Sequence, residues 1–236
     1  MKTFTSRRGA LLMGLAGLAG VAAVTAVVSA ATSAAISAPA IASSRRSLPL
    51  MSKGPFYPPR AWRERWESPD NWDADLTRVQ RDGQMSTARG EILGLQLSVV
   101  DTQDRIVDNA EIEIWQCDAL AHYHHPSAAQ TAGRFDPNFQ GFGATRSASD
   151  GTLRFRTIKP VPYPGRTPHI HVLLRHPSFG EMTSQLFIAG DAGNARDFLW
   201  RRLAEVDRSA VDLSLQAAPA NSGLRWQAQQ RLVVPA

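Results

Sequence analysis

The stretch D-G-T-L-R-F-R-T-I-K-P-V-P-Y-P-G-R-T-P-H-I-H-V-L-L-R, residues 150–175, decides the fold. Asp150-Gly151 is a hairpin-type turn signal, because Gly accepts the positive φ that tight turns demand. Over residues 152–159, Leu153, Phe155 and Thr157 alternate with Arg154 and Arg156, the period of two of a half-buried strand. A link rich in Pro and Gly interrupts the pattern, and residues 168–175 resume it as a second strand. There Ile170, Val172 and Leu174 take one face, while His169 and His171 take the other. Two imidazoles placed this way have Cα atoms about 6.6 Å apart on one side of a strand, within reach of one metal ion. A polar pair on a solvated face is the other reading of the same spacing.

The same period recurs outward from this stretch. Residues 91–100 alternate and are rich in strand formers. Residues 106–117 set Ile112, Ile114 and Gln116 against Glu111, Glu113 and Trp115. Residues 182–189 and 226–234 read as further strands, and one helix is expected over 195–206, where Leu199, Leu203 and Val206 share a face. Short strands with turn-rich joins and one short helix predict an all-β domain, a β-sandwich, over residues 91–236. Residues 43–90 read as an irregular N-terminal arm. They hold Gly54-Pro55-Phe56-Tyr57-Pro58-Pro59, then Trp62, Trp66 and Trp72 without period. The three Trp are expected to pack against the domain.

Residues 1–42 have the layout of an export signal. Lys2, Arg7 and Arg8 precede an uncharged run from Gly9 to Ala31, and Ala38-Pro39-Ala40 and Ala40-Ile41-Ala42 have the form of cleavage sites. The Arg7-Arg8 pair predicts a twin-arginine-type signal. The expected destination is periplasmic or extracellular, with no stable membrane span after cleavage; a retained membrane anchor is the other reading of the same apolar run. The formal charge of +5 comes largely from this leader, which carries three basic residues and no acidic one. No basic stripe remains to suggest nucleic acid. Cys117 is the only cysteine, so the chain forms no internal disulfide.

The chain has three tyrosines, Tyr57, Tyr123 and Tyr163, each in a loop-like stretch rich in Pro, Gly or His. A tyrosine binds metal as phenolate. Its ordinary pKa of about 10 means that only a strongly Lewis-acidic cation ionises it at neutral pH. Two phenolates with two imidazoles suit Fe(III), whereas zinc prefers His, Cys and carboxylates, and Fe(II) oxygenases prefer two His and one carboxylate. Spacing alone marks no tyrosine as a ligand.

Five ordered blocks do. Residues 151–171 resemble the metal-binding segment of the intradiol ring-cleavage dioxygenases, the group of protocatechuate 3,4-dioxygenase and catechol 1,2-dioxygenase. A-E-I-E-I-W-Q-C-D-A-L-A-H-Y at 110–123 resembles the strand that delivers the family's first tyrosine. G-P-F-Y-P at 54–58, D-P-N-F-Q-G-F-G at 136–143 and S-Q-L-F-I-A-G-D at 184–191 resemble further blocks, so the likeness spans about residues 52–191. The resemblance implies a non-haem Fe(III) dioxygenase with Tyr123, Tyr163, His169 and His171 as metal ligands. It implies that Tyr163 is the ligand displaced by substrate, that Arg166 is the active-site arginine and that Gln185 lies near the substrate. Tyr57 is read either as lining the pocket near its mouth or as a plain packing residue. A small aromatic diol and dioxygen are the implied substrates, with a muconate-type diacid as product. Both monomer and homo-oligomer fit this reading.

Two departures stand out. The family's usual Gly two residues before the first tyrosine is Ala121, which is costly if that position needs φ > 0. The gap from Tyr163 to His169 is short for the family, which implies an open mouth. His122, His124 and His125 flank Tyr123 and are read as groups behind the ligands, as mouth residues or as exposed, with exposed or mouth set well above ligand. Two rivals are carried forward. One is an exported β-sandwich module that binds aromatics or metal without turnover, whose signature would be a lost ligand. The other is Cu or Zn on His169, His171 and the 122–125 histidines, with no need for Tyr123 or Tyr163.

Overall fold

The computed structural model describes residues 46–61, 63, 71–125, 127 and 135–236. The expected leader, Trp62 and Trp66 lie outside the described residues. Among the described residues eleven strands run in chain order: β1 (Arg78–Arg81), β2 (Gln84–Thr87), β3 (Ile92–Asp101), β4 (Glu111–Trp115), β5 (Phe142–Arg146), β6 (Thr152–Ile158), β7 (His169–His176), β8 (Gly180–Ile188), β9 (Asp212–Leu213), β10 (Gln216–Ala217) and β11 (Trp226–Val234). One sheet has the order β10-β11-β3-β6, a second has β5-β4-β7-β8-β9, and β1-β2 is a separate hairpin. Most neighbours are antiparallel, but β11 runs parallel to β3 and β9 parallel to β8.

The two larger sheets share one apolar core. Leu93, Leu95, Leu97 and Val99 of β3, Leu153 and Phe155 of β6, and Leu232 and Val234 of β11 meet Ile112 and Ile114 of β4 and Ile170, Val172 and Leu174 of β7. This is the expected sandwich, and the predicted strand faces point inward as the alternation requires. Each fully buried Leu, Ile or Val contributes about 1.5–3 kcal/mol from apolar burial. Gln116 lies on the core side with Ile112 and Ile114, and it is satisfied there. It accepts from Thr157 Oγ1 at 2.9 Å and donates to the carbonyl of Ile158 at 3.1 Å, tying the sheets together.

Several elements differ from the sequence reading. The strand expected over 106–117 is regular only from 111 to 115, with Ile106 making an isolated bridge to Val100. The Asp150-Gly151 turn does not join paired strands. β5 pairs with β4 and β6 with β3, so this turn carries the chain from one sheet to the other. Its geometry is local: Asp150 Oδ1 accepts from the N–H and hydroxyl of Thr152 at 2.9 and 2.7 Å.

The helix expected over 195–206 is broken into two 3₁₀ turns, Asn194–Arg196 and Trp200–Arg202, and one α turn, Glu205–Arg208. Asp197 is the cause. Its backbone is extended, with ψ of 126°, and its Oδ1 accepts the N–H groups of Leu199 and Trp200. A short acidic side chain that captures nearby N–H groups competes with helix propagation.

The arm holds regular structure of its own. β1 and β2 form a hairpin around Asp82 and Gly83, both at positive φ (49° and 76°). Before it, Leu48 N–H donates to the Val233 carbonyl at 2.7 Å and Met51 N–H to the Thr183 carbonyl at 2.8 Å, so this part lies along both sheets. No described helix is long and apolar enough to cross a membrane.

Gly151 has φ of +75°, and a Cβ there would fall 2.7 Å from the Val99 carbonyl oxygen. Gly151→Ala therefore meets both backbone strain and a clash. It is expected to destabilise by about 2–4 kcal/mol, read as a melting temperature lower by several degrees. An unchanged melting temperature would contradict this account of the crossover.

Candidate metal centre

β7 places its imidazoles outward by the alternation that sends Ile170, Val172 and Leu174 inward. Both are buried nonetheless, at 2% exposure each. The ring of His171 stacks on Trp115 of the neighbouring β4, with centroids 4.7 Å apart and planes 11° apart. His169 Nδ1 lies 2.7 Å from the Thr167 carbonyl, which only accepts, so Nδ1 carries the proton and Nε2 keeps its lone pair. The Tyr123 hydroxyl donates to that Nε2 at 3.4 Å.

Tyr123 arrives on a loop that follows β4, and a buried carboxylate shapes it. Asp118 Oδ1 accepts the N–H groups of Leu120 and His122, both at 2.9 Å, and its Oδ2 accepts from Asp136 N–H at 2.6 Å. Burial opposes its ionisation, but His124 and these N–H groups hold the Asp118 carboxyl below its usual range. Ala121, inside this turn, takes φ of +64°. The strain suspected from the missing Gly is therefore present.

Tyr163 is held by the turn Tyr163-Pro164-Gly165-Arg166. Pro at the second position, Gly165 at φ +85° and an Arg166 N–H bond to the Tyr163 carbonyl at 2.9 Å make a type II turn. The turn sets the phenol and guanidinium side by side: Arg166 Nη1 donates to the Tyr163 hydroxyl at 3.3 Å. Arg166 Nη2 donates to Gln185 Oε1 at 2.5 Å, and Arg166 Nε to Asp197 Oδ2 at 2.8 Å. Gln185 is directly opposite His171 in the β7–β8 register.

The four rings close on themselves. Centroid separations are 5.6 Å for Tyr123–Tyr163, 5.5 Å for Tyr163–His169, 4.9 Å for His169–His171 and 6.1 Å for His171–Tyr123. Burial keeps all four neutral. It pushes the Tyr123 phenol well above its ordinary pKa and raises that of Tyr163, where Arg166 opposes it. Burial, then the charge of Arg166, lowers His169 to about 4, and burial also holds His171 well below its usual range. Neutral imidazoles are ready ligands. The phenols need a strong Lewis acid to ionise. Among the described residues no group of three or more His, Cys, Asp or Glu could hold a metal. The donor set of two imidazoles and two phenols fits Fe(III).

The two phenols are not equivalent. Tyr123 is buried and stacked on Phe56 at 4.8 Å, whereas Tyr163 is partly exposed on its turn. Cys117 is buried nearby, its thiol pushed up to about 12 by burial and the Asp118 charge, so it stays protonated.

Other expected residues lie elsewhere. The Tyr57 hydroxyl donates to Glu113 Oε2 at 2.7 Å and its ring meets Trp115 edge-on at 5.0 Å. It packs on the cluster that holds Trp115 and Tyr123, and its hydroxyl also accepts from Arg175 Nη2 at 3.3 Å. His124 is not exposed: it is buried, with Nε2 at 3.8 Å from Asp118 and its ring against Phe135. His122 and His125 are half-buried, and His125 packs on Phe56. Asp118 and Asp197, which the sequence reading did not single out, prove to organise the site. Trp72 packs on the cluster of Trp115 and Phe142, as expected of the arm's tryptophans.

Comparison with known proteins adds independent findings. A family model described as dioxygenase matches residues 65–226. The protocatechuate 3,4-dioxygenase beta chain of Burkholderia cepacia is 32% identical over 151 residues, covering 59% of this chain and 61% of that protein. The hydroxyquinol 1,2-dioxygenase of Corynebacterium glutamicum is 27% identical over 136 residues, covering 50% of this chain and 43% of that protein. The chain thus spans less than two thirds of these relatives' lengths, 61% and 43%. Among solved structures, an intradiol ring-cleavage dioxygenase from Tetranychus urticae superposes with a TM-score of 0.60 at 19% identity, covering 80% of this chain and 95% of that one. The dioxygenase domain of a carbohydrate-binding fusion from Streptomyces sp. SirexAA-E gives 0.59 at 22%, covering 81% and 99%. At these identities the superpositions speak for the fold.

Ala121→Gly removes a side chain from a left-handed position. The expected gain is about 0.5–1 kcal/mol, the strain relieved less the added unfolded-state freedom of Gly. Thermal unfolding of the variant should show a slightly higher midpoint. A lower midpoint would mean that the Ala121 methyl contributes packing that outweighs the strain.

Proposed function

The chain belongs to the intradiol ring-cleavage dioxygenase family, and on that premise we propose that it is a non-haem Fe(III) enzyme that opens catechol-type rings with dioxygen. The observation that carries this reading is the closed ring of Tyr123, Tyr163, His169 and His171, two phenols and two neutral imidazoles, beside a guanidinium. Bound iron(III) would supply a Lewis acid that chelates the diol, favours loss of its protons and draws electron density from the ring toward the metal, so that a ring carbon can meet dioxygen. The residues supply the rest.

Tyr123, His169 and His171 are the fixed ligands. Tyr123 is stacked on Phe56, His171 on Trp115, and His169 is locked in one tautomer by Thr167. Tyr163 is the ligand suited to leave. It is partly exposed, and Arg166 stands ready to hold its oxygen once released. In that state the Tyr163 oxygen takes a proton from the incoming diol. The Arg166 charge then faces the electron-rich ring and the anion that develops on it. Gln185 keeps the Arg166 fork aimed across β7 and β8. The bond between the two hydroxylated carbons breaks and both atoms of dioxygen enter. Catechol plus dioxygen thus becomes a cis,cis-muconate-type diacid with no other reactant.

The basic, then apolar, leader supports export by a twin-arginine-type route, which suits a protein folded around its metal before transport. Phenolics outside the cell are then the fitting substrate pool.

Iron-loaded protein supplied with catechol should take up dioxygen in equal amount and release a diacid carrying both atoms of isotopically labelled dioxygen. Tyr163→Phe should retain iron but lose about 100-fold in kcat/KM. Unchanged turnover in that variant would refute the role given to Tyr163. Iron binding without any oxygen uptake would leave a binding module.

A further inference from the structure

We infer that Asp197 is the positioning residue for Arg166, and that its negative charge is there for that purpose. Its side chain is fully buried, and that of Arg166 is 9% exposed, at a separation of 2.8 Å. A guanidinium is a planar fork, so fixing Nε fixes the direction of the other two nitrogens. With Nε on Asp197, Nη1 is left on the Tyr163 hydroxyl and Nη2 on Gln185. Gln185 is itself oriented, since its Nε2 donates to the Ser52 carbonyl at 3.3 Å.

Asp197 reaches the site by a second route. The same Oδ2 accepts the N–H of Thr167 at 3.1 Å, and the Thr167 carbonyl is what selects the His169 tautomer. One carboxylate oxygen therefore holds both the guanidinium and the residue whose carbonyl orients a histidine. The other oxygen caps the turn at Leu199 and Trp200.

The division of labour separates a structural role from a positioning one. Capping needs only an acceptor oxygen, and a neutral Asn supplies that equally well. The charge is matched by Arg166 alone among the partners of Asp197. Burying a carboxylate is costly without such a match, and burial does oppose ionisation here, yet the Arg166 bond and the N–H groups keep the carboxyl below its usual range. Arg166 also has somewhere else to go. A cavity of about 360 Å³, lined by Gly165, Arg166, Arg196 and Asp197 among others, borders the pair. Phe198, half exposed, covers the guanidinium with its ring 5.3 Å away. Without the anchor, the fork is free to turn from Tyr163 toward that space.

The kinetic part of the test rests on the proposed ring-opening reaction, and the spectroscopic part does not. Asp197→Asn is made in the wild-type chain and in Arg166→Gln. In the wild-type background kcat should fall about 100-fold with iron content and melting temperature nearly unchanged. In the Arg166→Gln background the same change should cost less than about twofold. Equal losses in both backgrounds, or none in the first, would overturn the inference. In nitrogen-15-labelled metal-free protein, the Arg166 Nε–H resonance, identified by its absence in Arg166→Gln, should exchange slowly with water and should lose that protection in Asp197→Asn. Fast exchange in the wild-type chain would overturn the inference even if Asp197→Asn failed to fold. A wild-type protein that opens no catechol would sink the proposed function, while the resonance would still decide the role of Asp197.

Discussion

Alternation along β7 determines where every other part of the site must stand. A strand offers two faces, and on β7 both are taken: Ile170, Val172 and Leu174 fill the sandwich core while His169 and His171 look outward. A slip of one residue would bury two imidazoles among Leu and Ile side chains and expose the core, so the register is strongly held. The outward face is then walled in by its neighbours. β4 brings Trp115 beside His171, β8 brings Gln185 opposite it, and the loops after β4 and before β7 bring the two phenols.

Burial of that face has an electrostatic consequence. All four donors stay neutral, with the phenols raised and the imidazoles lowered by loss of water. The site therefore carries little charge of its own, apart from Arg166, until something ionises the phenols. A hard trivalent cation does this, and two phenolates offset most of its charge. The buried acids Asp118 and Asp197 lie one step behind. They spend their charge on N–H groups, on His124 and on Arg166. They shape the loops that deliver Tyr123 and Tyr163, and they leave the donor positions to tyrosine and histidine.

Much of this was legible in the sequence, for reasons that differ by element. The core strands were readable because their alternation is regular, as the burial of every second residue of β3 shows. The β1–β2 hairpin escaped although Asp82-Gly83 is a turn signal, because its flanks are mostly polar and exposed. The expected helix failed because the Asp197 side chain competes for the N–H groups that a helix would use. His169 and His171 were visible from spacing. Tyr123 and Tyr163 were not, since they lie 40 residues apart in irregular segments, and resemblance alone picked them out. Asp197 was out of reach altogether: it meets Arg166 across 31 residues of chain, and nothing near it in sequence marks the partner. The short motif around Tyr57 left its role open between pocket mouth and packing, because a motif does not say which way the hydroxyl turns.

The most direct test of the proposed tyrosine-ligated iron centre is the visible absorption spectrum of the purified, iron(III)-loaded protein, recorded before and after catechol in oxygen-free buffer. Phenolate-to-iron(III) charge transfer predicts a red-coloured protein whose band weakens in Tyr123→Phe and shifts when catechol chelates the metal. A protein that holds iron(III) yet stays colourless, or whose colour survives the loss of both tyrosines, would contradict the account.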